Sequence, residues 1–137
     1  DALPILPLLA QNYAQFFAND ELLRKFDGVF SGRTDTPQER EDLETLAAAL
    51  KPLSTWNALA TIQEAREACG GSGFLAENRM VGLHQDLDVY VTFEGDNNIL
   101  LQLVGKRLLT DYAAKFKDAD AAAMAKVRMG SAQKREC

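Results

Sequence analysis

The chain has 137 residues, 47% of them apolar, which is enough to bury a core and fits one domain. A net charge of −5, with the acidic residues dispersed, excludes the basic stripe that neutralises nucleic-acid phosphates and reads as ordinary solubility. No apolar run approaches a membrane span, Pro4 and Pro7 break the opening segment so that no signal peptide is expected, and Cys69, Cys137 and a single His84 form no zinc spacing. That cysteine usage fits a reduced, intracellular compartment.

Leu6, Leu9, Tyr13, Phe16 and Phe17 recur at helical spacing, which predicts an amphipathic helix over 4–26. Gly28 and Gly32 then mark a loop over 28–35. Thr36-Pro37-Gln38-Glu39 is a helix start: threonine can cap, proline suits the first helical position, and Glu39 would close a capping box. Leu43, Leu46, Leu50, Leu53 and Trp56 carry a helical stripe onward to Ala68, where Gly70-Gly71 stops it. Pro52 lies inside this run and is expected to kink it.

Residues 88–93 alternate apolar and polar, as a strand would, but no second strand is available to pair with them. The reading is a helix over 77–89 and an irregular approach to Glu94. A long helix over 97–116 follows, with Ile99, Leu100, Leu103, Val104 and Leu108 on its buried side. An alanine-rich helix over 118–129 and a polar tail over 131–137 complete the chain. The fold class is all-α, an antiparallel helical bundle over 1–130.

Few residues could carry chemistry. Glu94 is either a carboxylate favoured by the dipole at a helix N-terminus or a general base. The second role needs a dry site that lifts its pKa, for which Phe93 and the apolar run after Asn98 are the available walls. Gly70-Gly71-Ser72-Gly73 is a helix C-cap and tight turn that could also hold an anion through its N–H groups, though it lacks the Lys-Ser/Thr of a P-loop. Cys69 reads as a buried packing thiol. His84 with Asp86 and Asp88 reads as a solvated helix face.

The run from Val91 through Thr92-Phe93-Glu94-Gly95-Asp96-Asn97 to Asn98, about twenty residues beyond Cys69-Gly70-Gly71-Ser72-Gly73-Phe74, closely resembles the C-terminal helical half of flavin-dependent acyl-CoA oxidases, relatives of the acyl-CoA dehydrogenases. The likeness extends to Ala48-Ala49-Leu50-Lys51 with Trp56, to Ile62-Gln63-Glu64-Ala65-Arg66-Glu67-Ala68 and to Leu75-Ala76-Glu77-Asn78-Arg79. It continues through Asp86, Asp88 and Val89, the helix from Leu100 to Val104, and Leu108-Leu109-Thr110-Asp111-Tyr112. In detail it is closer to bacterial and plant long-chain forms than to animal peroxisomal ones.

The resemblance implies that Glu94 accepts the α-proton of an acyl-CoA while the β-hydrogen passes to the flavin as hydride, giving a 2-enoyl-CoA. It implies that the Glu94 N–H helps hold the thioester oxygen and that Gly95 contacts substrate. Asp96 and Asn98 would touch the FAD, and Cys69, Gly70, Gly71 and Gly73 would lie against the FAD of a partner subunit in a homodimer. Lys106 and Arg107 are solvent-facing charges or partners of the coenzyme A phosphates. No metal is implied. The compartment would be cytoplasmic in a bacterium and peroxisomal in a eukaryote.

This sequence departs from the family pattern at Pro52, at Ser72 where oxidases often have histidine, and at Phe74 where tyrosine is commoner. The family's N-terminal helical and middle β domains are not in it, so the chain alone is expected to be inactive. Two other readings share the motifs: an acyl-CoA dehydrogenase that passes electrons to an electron-transfer flavoprotein, and a non-catalytic helical dimerisation module.

Overall fold

The computed structural model describes residues 5–117, all of them helix, turn or short connection. α1 spans Ile5–Phe30, α2 Pro37–Ala68, α3 Met80–Asp88 and α4 Asn97–Lys117. Short 3-10 helices at Gly70–Phe74, Ala76–Asn78 and Val89–Val91 link the later elements. The expected helix over 118–129 and the tail over 131–137 lie outside the described residues. The chain divides into two compact units, Asp1–Val104 and Gly105–Cys137.

α1 and α2 form an antiparallel pair, as bundle topology requires. α1 runs past the expected stop because Gly28 is no breaker here. Its carbonyl accepts the Arg33 and Thr34 N–H groups at 3.0 and 3.1 Å, and a Cβ on it would sit 2.8 Å from the Thr34 hydroxyl. The missing side chain lets the turn fold back onto the helix end, where Val29 is buried. α2 starts where the sequence signalled, with the Thr36 hydroxyl accepting the Glu39 N–H at 3.2 Å. The reciprocal half of the box is replaced, since the Thr36 N–H donates to the Thr34 carbonyl. Beside this start, Arg40 grips Asp35 with two N–H groups at 2.5 and 2.7 Å, which holds the Asp35 carboxyl below its ordinary pKa.

The face that joins α1 to α2 is not the one the sequence suggested. Leu6, Leu9, Tyr13, Phe16 and Phe17 are all exposed, Phe16 at 66%. The seam itself is small and amide-rich. Asn57 donates to Asn12 and Gln15 at 3.1 Å each, and Gln15 donates to the Leu53 carbonyl at 3.1 Å. The aromatic stripe is therefore the outer face of the pair. α4 departs likewise: Ile99, Leu103 and Leu108 are exposed rather than buried.

α2 continues through Pro52 without a break, and the proline is itself fully buried. Its ring leaves the Ala48 carbonyl without an i+4 donor. α3 starts later than expected because Arg79 adopts a left-handed backbone (φ 57°), which separates the short turn Ala76–Asn78 from α3. α3 and the turn Val89–Val91 both pack against α2, so the alternating segment that mimicked a strand is helical turn. The long helix α2 is thus the scaffold for everything between Gly70 and Glu94.

Candidate functional site

Glu94 sits at the apex of the turn between the Val89–Val91 helix and α4, and its side chain is exposed. Its φ is 56°, and Gly95 follows at 105°. A left-handed backbone costs a residue with a Cβ about 1–2 kcal/mol, so neighbours must impose it. On the N-terminal side the Val89 carbonyl accepts the Thr92 and Phe93 N–H groups at 3.2 and 3.0 Å. On the C-terminal side Lys51 reaches across from α2. Its ammonium donates to the Gly95 carbonyl at 2.6 Å and to the Asn97 side-chain oxygen at 2.7 Å.

Asn97 is the buried polar residue of the site, at 1% exposure. Its amide donates to the Thr55 hydroxyl at 2.9 Å, and that hydroxyl donates to the Lys51 carbonyl at 3.0 Å. Lys51, Thr55 and Asn97 therefore form a closed set of bonds that satisfies every buried polar group in it. The sequence points to Asp96 and Asn98 on either side of Asn97 but not to Asn97 itself, because an asparagine among capping residues carries no mark of burial. Asp96, expected at the flavin, caps α4: its carboxylate accepts the Asn98 and Ile99 N–H groups at 2.9 and 3.4 Å. Asn98 is exposed.

Gly95 has a steric reason as well as a conformational one. A Cβ there would lie 3.2 Å from the Leu100 side chain, at a φ that disfavours any side chain. The Glu94 N–H makes no backbone hydrogen bond among the described residues. Of the walls expected around Glu94, Leu100 is half-buried beside Gly95, while others are open. Phe93, packed edge-on to Tyr90 with ring centroids 4.9 Å apart, is still 40% exposed, and Ile99 is exposed too. The described residues thus leave the Glu94 carboxylate open to water.

The glycine cluster closes α2. The Cys69 N–H bonds back to the Ala65 carbonyl at 3.2 Å, Gly70 follows at φ 56°, and Gly73 is buried against the last turn. A Cβ on Gly73 would lie 2.2 Å from the Arg66 carbonyl oxygen, so that glycine is a packing requirement. Gly70 and Gly71 instead face open space. Arg66 lies over the Phe74 ring at 4.5 Å, and Asn78 donates to the Ser72 carbonyl at 2.8 Å, which fixes the turn. Cys69 is exposed, not buried as expected; the chain turns outward at the cap.

The two groups of candidate residues are not adjacent. The Glu94 turn is tied to Lys51, whereas the glycine turn follows Ala68; along α2 those points are about 26 Å apart at about 1.5 Å per residue. Lys106 is exposed, and the Arg107 Nε–H is shared between the two Asp111 carboxylate oxygens at 2.9 and 3.0 Å. Asp86 and Asp88 are exposed and His84 is half-buried. Among the described residues no group of potential ligands could hold a metal ion, and no helix is long and apolar enough to cross a membrane.

Comparison with known proteins identifies the family of this all-α chain. Residues 2–109 match the family described as the acyl-CoA oxidase C-alpha1 domain. The chain belongs to the acyl-CoA oxidase family. The putative acyl-coenzyme A oxidase 3.2, peroxisomal, of Arabidopsis thaliana is 41% identical over 110 residues, covering 80% of this chain and 15% of that protein. Peroxisomal acyl-coenzyme A oxidase 3 of Homo sapiens is 43% identical over 120 residues, covering 83% and 17%. The acyl-coenzyme A oxidase-like protein of Mus musculus is 39% identical over 119 residues, covering 85% and 18%. Identity therefore does not separate plant from animal forms. The chain spans less than a fifth of the length of these relatives. No solved structure matches it.

Proposed function

We propose that this chain supplies the proton-abstracting base, and part of the flavin surface, to an FAD-dependent acyl-CoA oxidase. The observation that carries the reading is the left-handed Glu94–Gly95 pair. Backbone strain at an exposed carboxylate, imposed from both sides, is the kind of feature that functional sites retain. The turn leaves the Glu94 carboxylate and its N–H unclaimed by the described residues, so both are available to a ligand.

Removal of the α-proton of an acyl thioester leaves negative charge on the thioester oxygen. Glu94 takes the proton on its carboxylate. Its N–H stabilises the oxygen where that charge develops. Gly95 lets the substrate approach the backbone closely. The Cα–H electron pair becomes the new Cα=Cβ bond as the β-hydrogen leaves, and the product is a 2-enoyl-CoA. FAD, when bound, supplies the acceptor for that hydrogen as hydride.

The residues present suit that cofactor. Gly70 and Gly71 offer exposed backbone with open space where side chains would stand, which accommodates a flat or extended ligand. Gly73 holds this turn in place from inside, and Cys69, Asp96 and Asn98 complete the proposed flavin contacts. The roughly 26 Å between the glycine turn and the Glu94 attachment supports assigning them to different flavins, and so a homodimer. Lys106, exposed on α4, is proposed for the coenzyme A phosphates. The plant and human relatives are named peroxisomal, and the same compartment is proposed for this chain in a eukaryotic cell.

Glu94→Gln in the full-length oxidase tests the assignment, since it keeps size and polarity but cannot take the proton. Acyl-CoA binding should persist, while anaerobic single-turnover flavin reduction falls by about 10²- to 10⁴-fold. A drop of less than about tenfold, short of the general-base range, would move the base to another residue.

A further inference from the structure

The geometry points to Lys51 as a positioning residue for Glu94: with Asn97 and Thr55, it sets the direction of the carboxylate from α2, outside the turn that carries it. The inference rests on the reading of Glu94 as the base. It goes further by naming the device that aims it.

Three observations converge. First, the Glu94–Gly95 pair is held in a conformation that a residue with a Cβ avoids; the Val89 carbonyl holds the N-terminal limb and Asp96 caps α4, and neither contact reaches the Gly95 carbonyl. Second, among the described residues the side chain that donates to the Gly95 carbonyl is that of Lys51, whose ammonium lies 2.6 Å from the oxygen and 44 residues away in sequence. Third, that ammonium is itself fixed. It donates to Asn97, buried at 1% exposure, which donates to Thr55, whose hydroxyl returns to the Lys51 carbonyl.

An ammonium with three donors serves two acceptors at once, and a charged donor makes both bonds strong. Lys51 and Thr55 stand one turn apart on α2, so their spacing is set by the helix and not by the loop. The Gly95 peptide is thereby pinned to a rigid element. A base must meet its proton within a narrow range of distance and angle, and a displacement of about 1 Å can slow a reaction about a hundredfold. Simple tethering of the loop would need only one contact. Two acceptors two residues apart on the C-terminal limb, backed by the buried Asn97, fix an orientation.

The test compares Lys51→Met, Lys51→Arg and Glu94→Gln in the full-length oxidase. The readouts are anaerobic flavin reduction at saturating acyl-CoA, acyl-CoA affinity and flavin content. Lys51→Met should slow reduction about 10- to 100-fold with affinity and flavin content preserved. Lys51→Arg keeps the charge and two or more donors, and should recover part of the rate; it also carries the test if Lys51→Met does not fold. Wild-type reduction in Lys51→Met overturns the proposal, as does a parallel loss of rate, affinity and flavin, which marks a merely structural tie. Wild-type reduction in Glu94→Gln would instead remove the base assignment, whatever Lys51 does.

Discussion

Single residues divide the glycine turn into a part that packs and a part that faces outward. Gly73 presses on the Arg66 carbonyl, and a Cβ at 2.2 Å from a backbone oxygen cannot be absorbed by a rotamer change. Gly73→Ala should therefore destabilise the chain by about 1–3 kcal/mol, the range for overpacking, measured by urea unfolding of the isolated chain. Gly71 has nothing within reach of a new methyl group. Gly71→Ala should change stability by less than about 0.5 kcal/mol yet weaken FAD retention in the full-length oxidase. Equal stability losses for the two would mean that the turn is only a helix cap. The same scale shows what sequence could not reveal about the site. Glu94 and Gly95 stood out through their resemblance to a family motif. Lys51 and Asn97 meet across 46 residues, and no local periodicity encodes such a meeting.

At the level of elements, helix starts and types were legible because caps and spacing are local. Thr36 and Pro37 fixed the start of α2, and Gly70 fixed its end. What failed was the choice of face. The aromatic stripe of α1 has the spacing of a core stripe, but the α1 residues turned toward α2 include amides and alanines, Asn12, Ala14, Gln15 and Ala18. Periodicity marks a face that will be covered without naming what covers it. Pro52 poses the opposite problem, a residue that local rules disfavour and the helix accepts. Pro52→Ala restores a backbone donor, worth about 3 kcal/mol on helix propensity. It removes roughly two buried methylene equivalents, about 0.8 kcal/mol each. A net gain of about 1 kcal/mol in urea unfolding is expected from those two magnitudes. A loss of several kcal/mol would show that the proline shapes the turn between Lys51 and Thr55, where both helix-side clamp residues stand.

On the scale of the whole molecule, the decisive quantity is exposed apolar surface. Phe16, Phe17, Tyr13 and Leu9 on α1 are mostly open, and an open groove of about 540 Å³ lies between α1 and α2 with Trp56 and Leu53 on its wall. Monomeric soluble proteins seldom leave contiguous apolar surface of this kind uncovered. The chain spans less than a fifth of its relatives' length, and under the proposed function these outer faces are where other parts of an oxidase would pack. The exposed Glu94 fits the same account, since the base proposed there would need desolvation from a covering surface. The isolated chain should be strongly helical by circular dichroism, free of stoichiometric flavin, and increasingly self-associated as its concentration rises in light-scattering measurements. Self-association follows from the apolar faces and the absence of flavin from the split site, so the two outcomes are independent. A chain that stays monomeric at all concentrations would mean that the α1 stripe is tolerated in water and is no evidence of a covering surface. A yellow chain with one FAD per molecule would mean that the glycine turn and the Glu94 turn serve a single flavin, and the argument for a homodimer from their separation along α2 would fall.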